Sequence, residues 1–117
     1  MDKSHPHIPY LLKSHLKEIR ALCKKHHVSK LWVFGSVLTP HFKKDSDIDF
    51  LYEWNEEAIT PVIFLENLWT LLDRLEELLG HTVDWIYAGN LKNPYFIEEI
   101  EETKVLLYLQ ERNLVPA

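Results

Sequence analysis

The stretch Leu31–Glu53, LWVFGSVLTPHFKKDSDIDFLYE, decides the reading of this 117-residue chain. A short apolar strand, Leu31 to Phe34, ends at Gly35-Ser36, and ten residues later a second strand opens with alternating carboxylates, Asp47 and Asp49. Side chains of a strand alternate between its faces, so Asp47 and Asp49 project from one side while Ile48 and Phe50 project from the other. The two carboxylates are held roughly 7 Å apart at the backbone and can bend onto one point. Beside a hydrophobic strand such a like-charged pair repels and loses hydration, which raises a carboxylate pKa or destabilises the fold. A divalent cation removes the difficulty. Paired hard oxygen ligands, with no Cys or His at ligand spacing nearby, suit magnesium or manganese better than zinc.

Gly35-Ser36 supplies the other half of the unit. Glycine lets the backbone turn sharply and lets a phosphate approach the main chain, while serine offers a hydroxyl and an N–H where the next turn begins. A Gly-Ser pair after a strand is ordinarily just a turn. Combined with paired carboxylates at a fixed distance, it describes one pocket with backbone donors for a polyphosphate and metals bridging that group to the protein. An EF-hand reading places Asp45, Asp47, Asp49 and Glu56 at loop positions 1, 3, 5 and 12. Position 6 of that loop requires glycine, and here it is Phe50. Gly35 and Pro40 also exclude an entering helix, and Ile48–Trp54 reads as a strand.

The pattern of Gly-Ser, ten residues and Asp-x-Asp resembles the signature of the polymerase-beta-like nucleotidyltransferase superfamily, and Ser46-Asp47-Ile48-Asp49-Phe50-Leu51 resembles its metal-binding strand. At this length the chain is similar to the minimal nucleotidyltransferase (MNT) subgroup, whose members are often antitoxin partners of HEPN-domain toxins. The resemblance implies an α/β (mixed α+β) fold of the polymerase-beta type, a small mixed β-sheet flanked by about four helices. It further implies two Mg2+ ions, or Mn2+, held by Asp47 and Asp49, with Asp84 completing the metal site or taking the acceptor's proton. Gly35 and Ser36 would hold the β- and γ-phosphates of ATP, with Ser46, Lys43 and Lys44 as further nucleotide-binding candidates. The implied activity is transfer of AMP from ATP to a hydroxyl of a partner protein, a tyrosine of a HEPN toxin, which silences it. Two other readings stay open: a binding module that neutralises its partner by contact alone, and a nucleotidyltransferase for small molecules such as aminoglycosides that needs a second subunit. The chain departs from the family pattern in one place. Many members carry Arg and Gly shortly after the Gly-Ser pair, where Val37, Leu38, Thr39 and Pro40 stand here.

Composition agrees with one compact domain spanning 1–117. A 46% hydrophobic share with three glycines argues against a disordered chain. With 13 basic and 18 acidic side chains the formal charge is −5, so electrostatics do not support direct nucleic-acid binding. Cys23 stands alone and fits core packing in a reducing compartment. No apolar run approaches the roughly 20 residues of a membrane span, and the N-terminus lacks a signal peptide's apolar region, so a cytoplasmic location is expected, as hetero-oligomer or homodimer.

In chain order, residues 1–9 read as an extended lead-in whose His5 and His7 are an incidental pair rather than ligands. A helix is expected from Tyr10 to about His27, with Leu12, Leu16, Ile19 and Cys23 on its core stripe. Thr60-Pro61 looks like an N-cap with proline at the first helical position, and that helix runs to Leu79, where Gly80 stops it. Its stripe of Val62, Leu65, Leu68, Trp69, Leu72, Leu75 and Leu79 is core or partly a partner surface. A third strand covers Thr82–Tyr87. Its Asp84 is costly in so apolar a segment unless paired or metal-bound, the competing reading being a solvent-facing residue on an edge strand. Asn93-Pro94 caps a last helix running through about Tyr108, with Ile97, Ile100 and Leu107 inward, and 111–117 form a loose tail.

Overall fold

A computed structural model describes residues 8–111; the His5/His7 pair and nearly all of the expected tail lie outside them. The elements are α1 (Tyr10–Lys13), α2 (Leu16–Lys25), β1 (Val28–Phe34), β2 (Ile48–Trp54), α3 (Pro61–Leu79), β3 (Val83–Tyr87), α4 (Pro94–Thr103) and β4 (Val105–Leu109). The four strands form one mixed sheet in the order β3-β2-β1-β4. β1 runs antiparallel to β2 and to β4, while β2 and β3 are parallel, joined by the α3 crossover. No helix among the described residues is long and apolar enough to cross a membrane.

Alternation along the strands sorts side chains onto two faces. Leu31, Val33, Ile48, Phe50 and Tyr52 point to the main core, where they meet Leu12, Ile19 and Cys23 from the N-terminal helices and Phe64, Leu71, Leu75 and Leu79 from α3. Burial pushes the Cys23 thiol up to about 12, which makes it a packing group rather than a nucleophile. The opposite face carries a smaller cluster in which Phe34 and Leu51 pack against Ile100 of α4.

α3 has the expected bounds. The Thr60 hydroxyl accepts from the Ile63 N–H, Pro61 follows, and Gly80 ends the helix in the left-handed region at φ 69°. Its buried side is set by Phe64, Leu71, Leu75 and Leu79, whereas Val62, Leu65 and Trp69 of the expected stripe are exposed. The long apolar pattern therefore contains two faces.

The terminal elements differ from expectation. The N-terminal helix breaks at Ser14-His15, because the Ser14 hydroxyl donates to the Leu11 carbonyl while the His15 N–H turns to Leu12. α2 ends at His26, and His27 takes the left-handed position at φ 62°. The last helix stops at Thr103 instead of Tyr108, and Val105–Leu109 forms β4 against β1. Val105 and Leu107 are buried while Leu106 between them is exposed, the alternation of a strand. β1 begins at Val28, ahead of the expected Leu31.

Leu75 is fully buried against the sheet and Trp69 is 72% exposed on the same helix. Leu75→Ala is expected to cost about 2–5 kcal/mol in urea denaturation, and Trp69→Ala less than about 0.5 kcal/mol.

Candidate active site

β1, β2 and β3 each contribute one residue to a row across the sheet. Asp49 is the antiparallel partner of Phe34 and the parallel partner of Asp84. Adjacent strands lie about 4.8 Å apart, so the two aspartates stand side by side on the face that carries Leu51 and Ile86. Asp84 does lie exposed on an edge strand, yet its neighbour in register is another carboxylate.

Gly35 continues β1 beyond Phe34 in the left-handed region, at φ 80°. A Cβ built there would collide with Asp49 Oδ2. The Asp49 carboxylate occupies the space that a side chain at position 35 would fill. Residues 35–38 then make a tight 3-10 turn, with the Ser36 carbonyl accepting from both the N–H and the hydroxyl of Thr39. The elbow and the carboxylate are in direct contact, as one pocket requires.

Crowding has an electrostatic consequence. Burial pushes the Asp49 carboxyl up to about 6, reinforced by the negative charges of Asp84 and Asp47 and by a hydrogen bond with Asp84. Asp47 stands at the exposed mouth of β2, where it accepts a hydrogen bond from the Thr82 hydroxyl. Among the described residues no three His, Cys, Asp or Glu side chains are drawn closely enough together to hold a metal ion, so the expected convergence of all three aspartates is incomplete. The donor chemistry nevertheless fits a hard divalent cation: oxygen ligands only, all on one face, with the Asp49–Asp84 pair carrying charge that a cation would offset.

The remaining candidates divide. Ser46 is committed to the loop, its hydroxyl accepting from the Lys43 N–H and its carbonyl accepting from Nδ1 of His81. Lys43 and Lys44 are exposed, and their ammonium groups make no ion pair with another described residue. Val37, just beyond the elbow, is buried in the main core. Two residues that the sequence did not single out hold the mouth of β2. His81 packs its ring 4.7 Å from that of Phe42 while binding Ser46, and Thr82 binds Asp47 by its hydroxyl and the Ile48 N–H by its carbonyl. Their one sequence signal is position, directly after the Gly80 stop and at the start of the strand that carries Asp84.

The family model for polymerase beta nucleotidyltransferases matches residues 17–113, spanning every one of these groups. The chain belongs to the polymerase beta nucleotidyltransferase family. The protein adenylyltransferase MntA of Thermococcus cleftensis is 36% identical over 86 residues, 74% of this chain and 79% of that protein. Two solved structures at 16% identity share the fold. One is a toxin-antitoxin complex with AMP-PNP, with a TM-score of 0.59 over 82% of this chain and 74% of the matched one. The other is a complex of an MNT antitoxin with a tri-AMPylated HEPN toxin from Shewanella oneidensis, with a TM-score of 0.52 over 84% and 72%. This nucleotidyltransferase thus has relatives named for moving AMP onto protein.

Two outcomes test the site's construction. Gly35→Ala combines a left-handed backbone with a collision at Asp49, and is expected to lower stability by about 1–3 kcal/mol in urea denaturation. For Asp49 the direction follows from its raised pKa. Between its ordinary value of 3.8 and about 6 the folded chain holds the proton more tightly than the unfolded chain, so ionised Asp49 opposes folding above about pH 6 and ceases to do so as pH falls toward 3.8. In metal-free buffer Asp49→Asn should therefore melt above the wild type at pH 7.5, with the gap closing as pH falls through 6. Equal melting temperatures at pH 7.5 would contradict the crowding.

Proposed function

We propose that this chain transfers AMP from ATP to a hydroxyl of a partner protein, a tyrosine of a HEPN toxin, and so acts as its antitoxin. The observation that carries this reading is the Phe34–Asp49–Asp84 row abutting the Gly35 elbow, in a chain whose relatives include a protein adenylyltransferase. A carboxylate pair beside a turn open to phosphate is what in-line transfer at an α-phosphorus needs, because positioning and charge neutralisation make up most of its barrier.

In the step proposed, the acceptor oxygen attacks the α-phosphorus, the bond from that phosphorus to the bridging oxygen of the β-phosphate breaks, and pyrophosphate departs. Asp84, exposed on the edge strand, takes the hydroxyl proton. Gly35 and Ser36 receive the departing phosphates, the glycine by letting the chain turn at the end of β1 with Asp49 against it and the serine through its N–H and hydroxyl. Asp47 and Asp49, with Asp84, are the residues that would hold magnesium or manganese. Bound there, the metal offsets polyphosphate charge and lowers the pKa of the attacking hydroxyl. Asp49 is the member most in need of that positive charge, being pressed against Gly35 and Asp84 together.

One observation favours the second reading, neutralisation by contact alone. The segment where many family members carry a basic residue opens here with buried Val37, so no guanidinium reaches the phosphates from that turn.

Incubating the chain with magnesium, ATP and its HEPN-type partner, and following the partner by mass spectrometry, separates the two readings. The expected result is a gain of one or more AMP groups that falls on the order of 100-fold or more in Asp49→Asn and in Asp84→Asn, the scale of losing one group that manages transition-state charge. Both variants should still capture the partner, Asp84→Asn less tightly because its exposed carboxylate also faces the sheet edge. An unmodified partner that is still captured and silenced by the wild type would establish neutralisation by contact.

A further inference from the structure

The sheet face that carries Asp49 and Asp84 also carries an aromatic lip. Phe34, in register with Asp49, is met by Phe96 of α4, the two rings lying edge to face at 6.1 Å and 73°. Phe96 remains 37% exposed and its neighbour Tyr95 is 83% exposed. One turn later Ile100 is buried against Phe34 and Leu51, so α4 is seated by Ile100 and its first turn projects beside the carboxylate row. That turn is fixed in place, because the Asn93 side chain accepts from the Tyr95 N–H at 3.0 Å and the Phe96 N–H at 3.4 Å. Packing on Phe34 uses one part of the Phe96 ring and leaves the rest open.

In-line displacement places the acceptor and the departing pyrophosphate on opposite sides of the α-phosphorus. With pyrophosphate at Gly35-Ser36 and the acceptor at Asp84, the nucleoside attached to that phosphorus must leave the line sideways. The other face of the sheet is closed by α2 and α3. On the carboxylate face, the surface that flanks the row beside Phe34 is the first turn of α4.

We propose that Phe96, with Tyr95 at its rim, forms the floor on which the base of the bound nucleoside triphosphate stacks; this rests on the adenylyl-transfer reading above. An aromatic face accepts any base, because every base has a π-face. The lip therefore sets affinity and the lateral position of the nucleoside, and ATP and GTP should profit alike.

The test is titration calorimetry of the full chain with magnesium ATP and with magnesium tripolyphosphate, which lacks the nucleoside. Phe96→Leu keeps an apolar contact with Phe34 and removes the ring. It is expected to weaken ATP about tenfold, the scale of one lost base stack, and to leave tripolyphosphate unchanged. Phe96→Trp should retain wild-type ATP affinity, and Tyr95→Ala, at an exposed position, should weaken ATP by a smaller factor. Wild-type ATP affinity in Phe96→Leu overturns the proposal, as does a loss shared equally with tripolyphosphate, which damage to the phosphate site or the fold would cause. A wild type that binds neither ligand overturns the adenylyl-transfer reading and the stacking floor with it, whereas a wild type that binds both, with Phe96→Leu identical to it, overturns the floor alone.

Discussion

The absent side chain at position 35 is the constraint on which the site depends. With a hydrogen in place of a methyl group, the chain can leave β1 at φ 80° and Asp49 can press against the elbow instead of turning to solvent. Sheet pairing then fixes the rest: once Phe34 is opposite Asp49, the parallel register of β2 with β3 places Asp84 beside it. A slip of one residue in either pairing would turn the carboxylates into the α3 side of the sheet. The apolar alternation of Ile48, Phe50 and Tyr52, buried among α2 and α3, makes such a slip prohibitively costly.

The cost of bringing two carboxylates together is thus carried by hydrophobic burial on the opposite face. Tyr52 stacks on Phe64 at 5.8 Å and on Trp85 at 4.6 Å, tying β2 and β3 to α3. That aromatic column and the Leu71–Leu75–Leu79 stripe hold the parallel pair together against Asp49–Asp84 repulsion. A site built this way is electrostatically frustrated when free of cations: burial first, and the charges of Asp84 and Asp47 after it, hold the Asp49 pKa above its ordinary value.

What the sequence made legible was local. The alternation of Asp47 and Asp49, the Thr60-Pro61 cap, the Gly80 stop and the Gly35-Ser36 elbow all act within a few residues, and each is where its chemistry placed it. Tertiary choices were less visible. Val105–Leu109 is apolar enough to extend a helix on periodicity alone; its pairing with Lys30–Val33 of β1 makes it a strand. Phe64 and Leu71 lie outside the apolar stripe that the sequence suggests because α3 presents apolar residues on two sides, and only the sheet decides which side is core. The diversion of Asp47 onto Thr82 has no sequence signal at all, since the two residues lie 35 positions apart and meet only through the parallel register.

The placement of charge bears on how such a half-site would work. On the adenylyl-transfer reading, the chain offers backbone donors at residues 35–38 and two exposed lysines on the following loop, in a molecule with a net charge of −5. Asp84 meanwhile opens onto the sheet edge at β3, away from the β1 side that receives the phosphates. A partner approaching that edge therefore meets carboxylates first, and one with a basic surface around its acceptor hydroxyl gains both attraction and the counter-charge that Val37 does not provide. Recognition and catalysis would then draw on the same charges, so that the surface able to dock at β3 is also the one that completes the site.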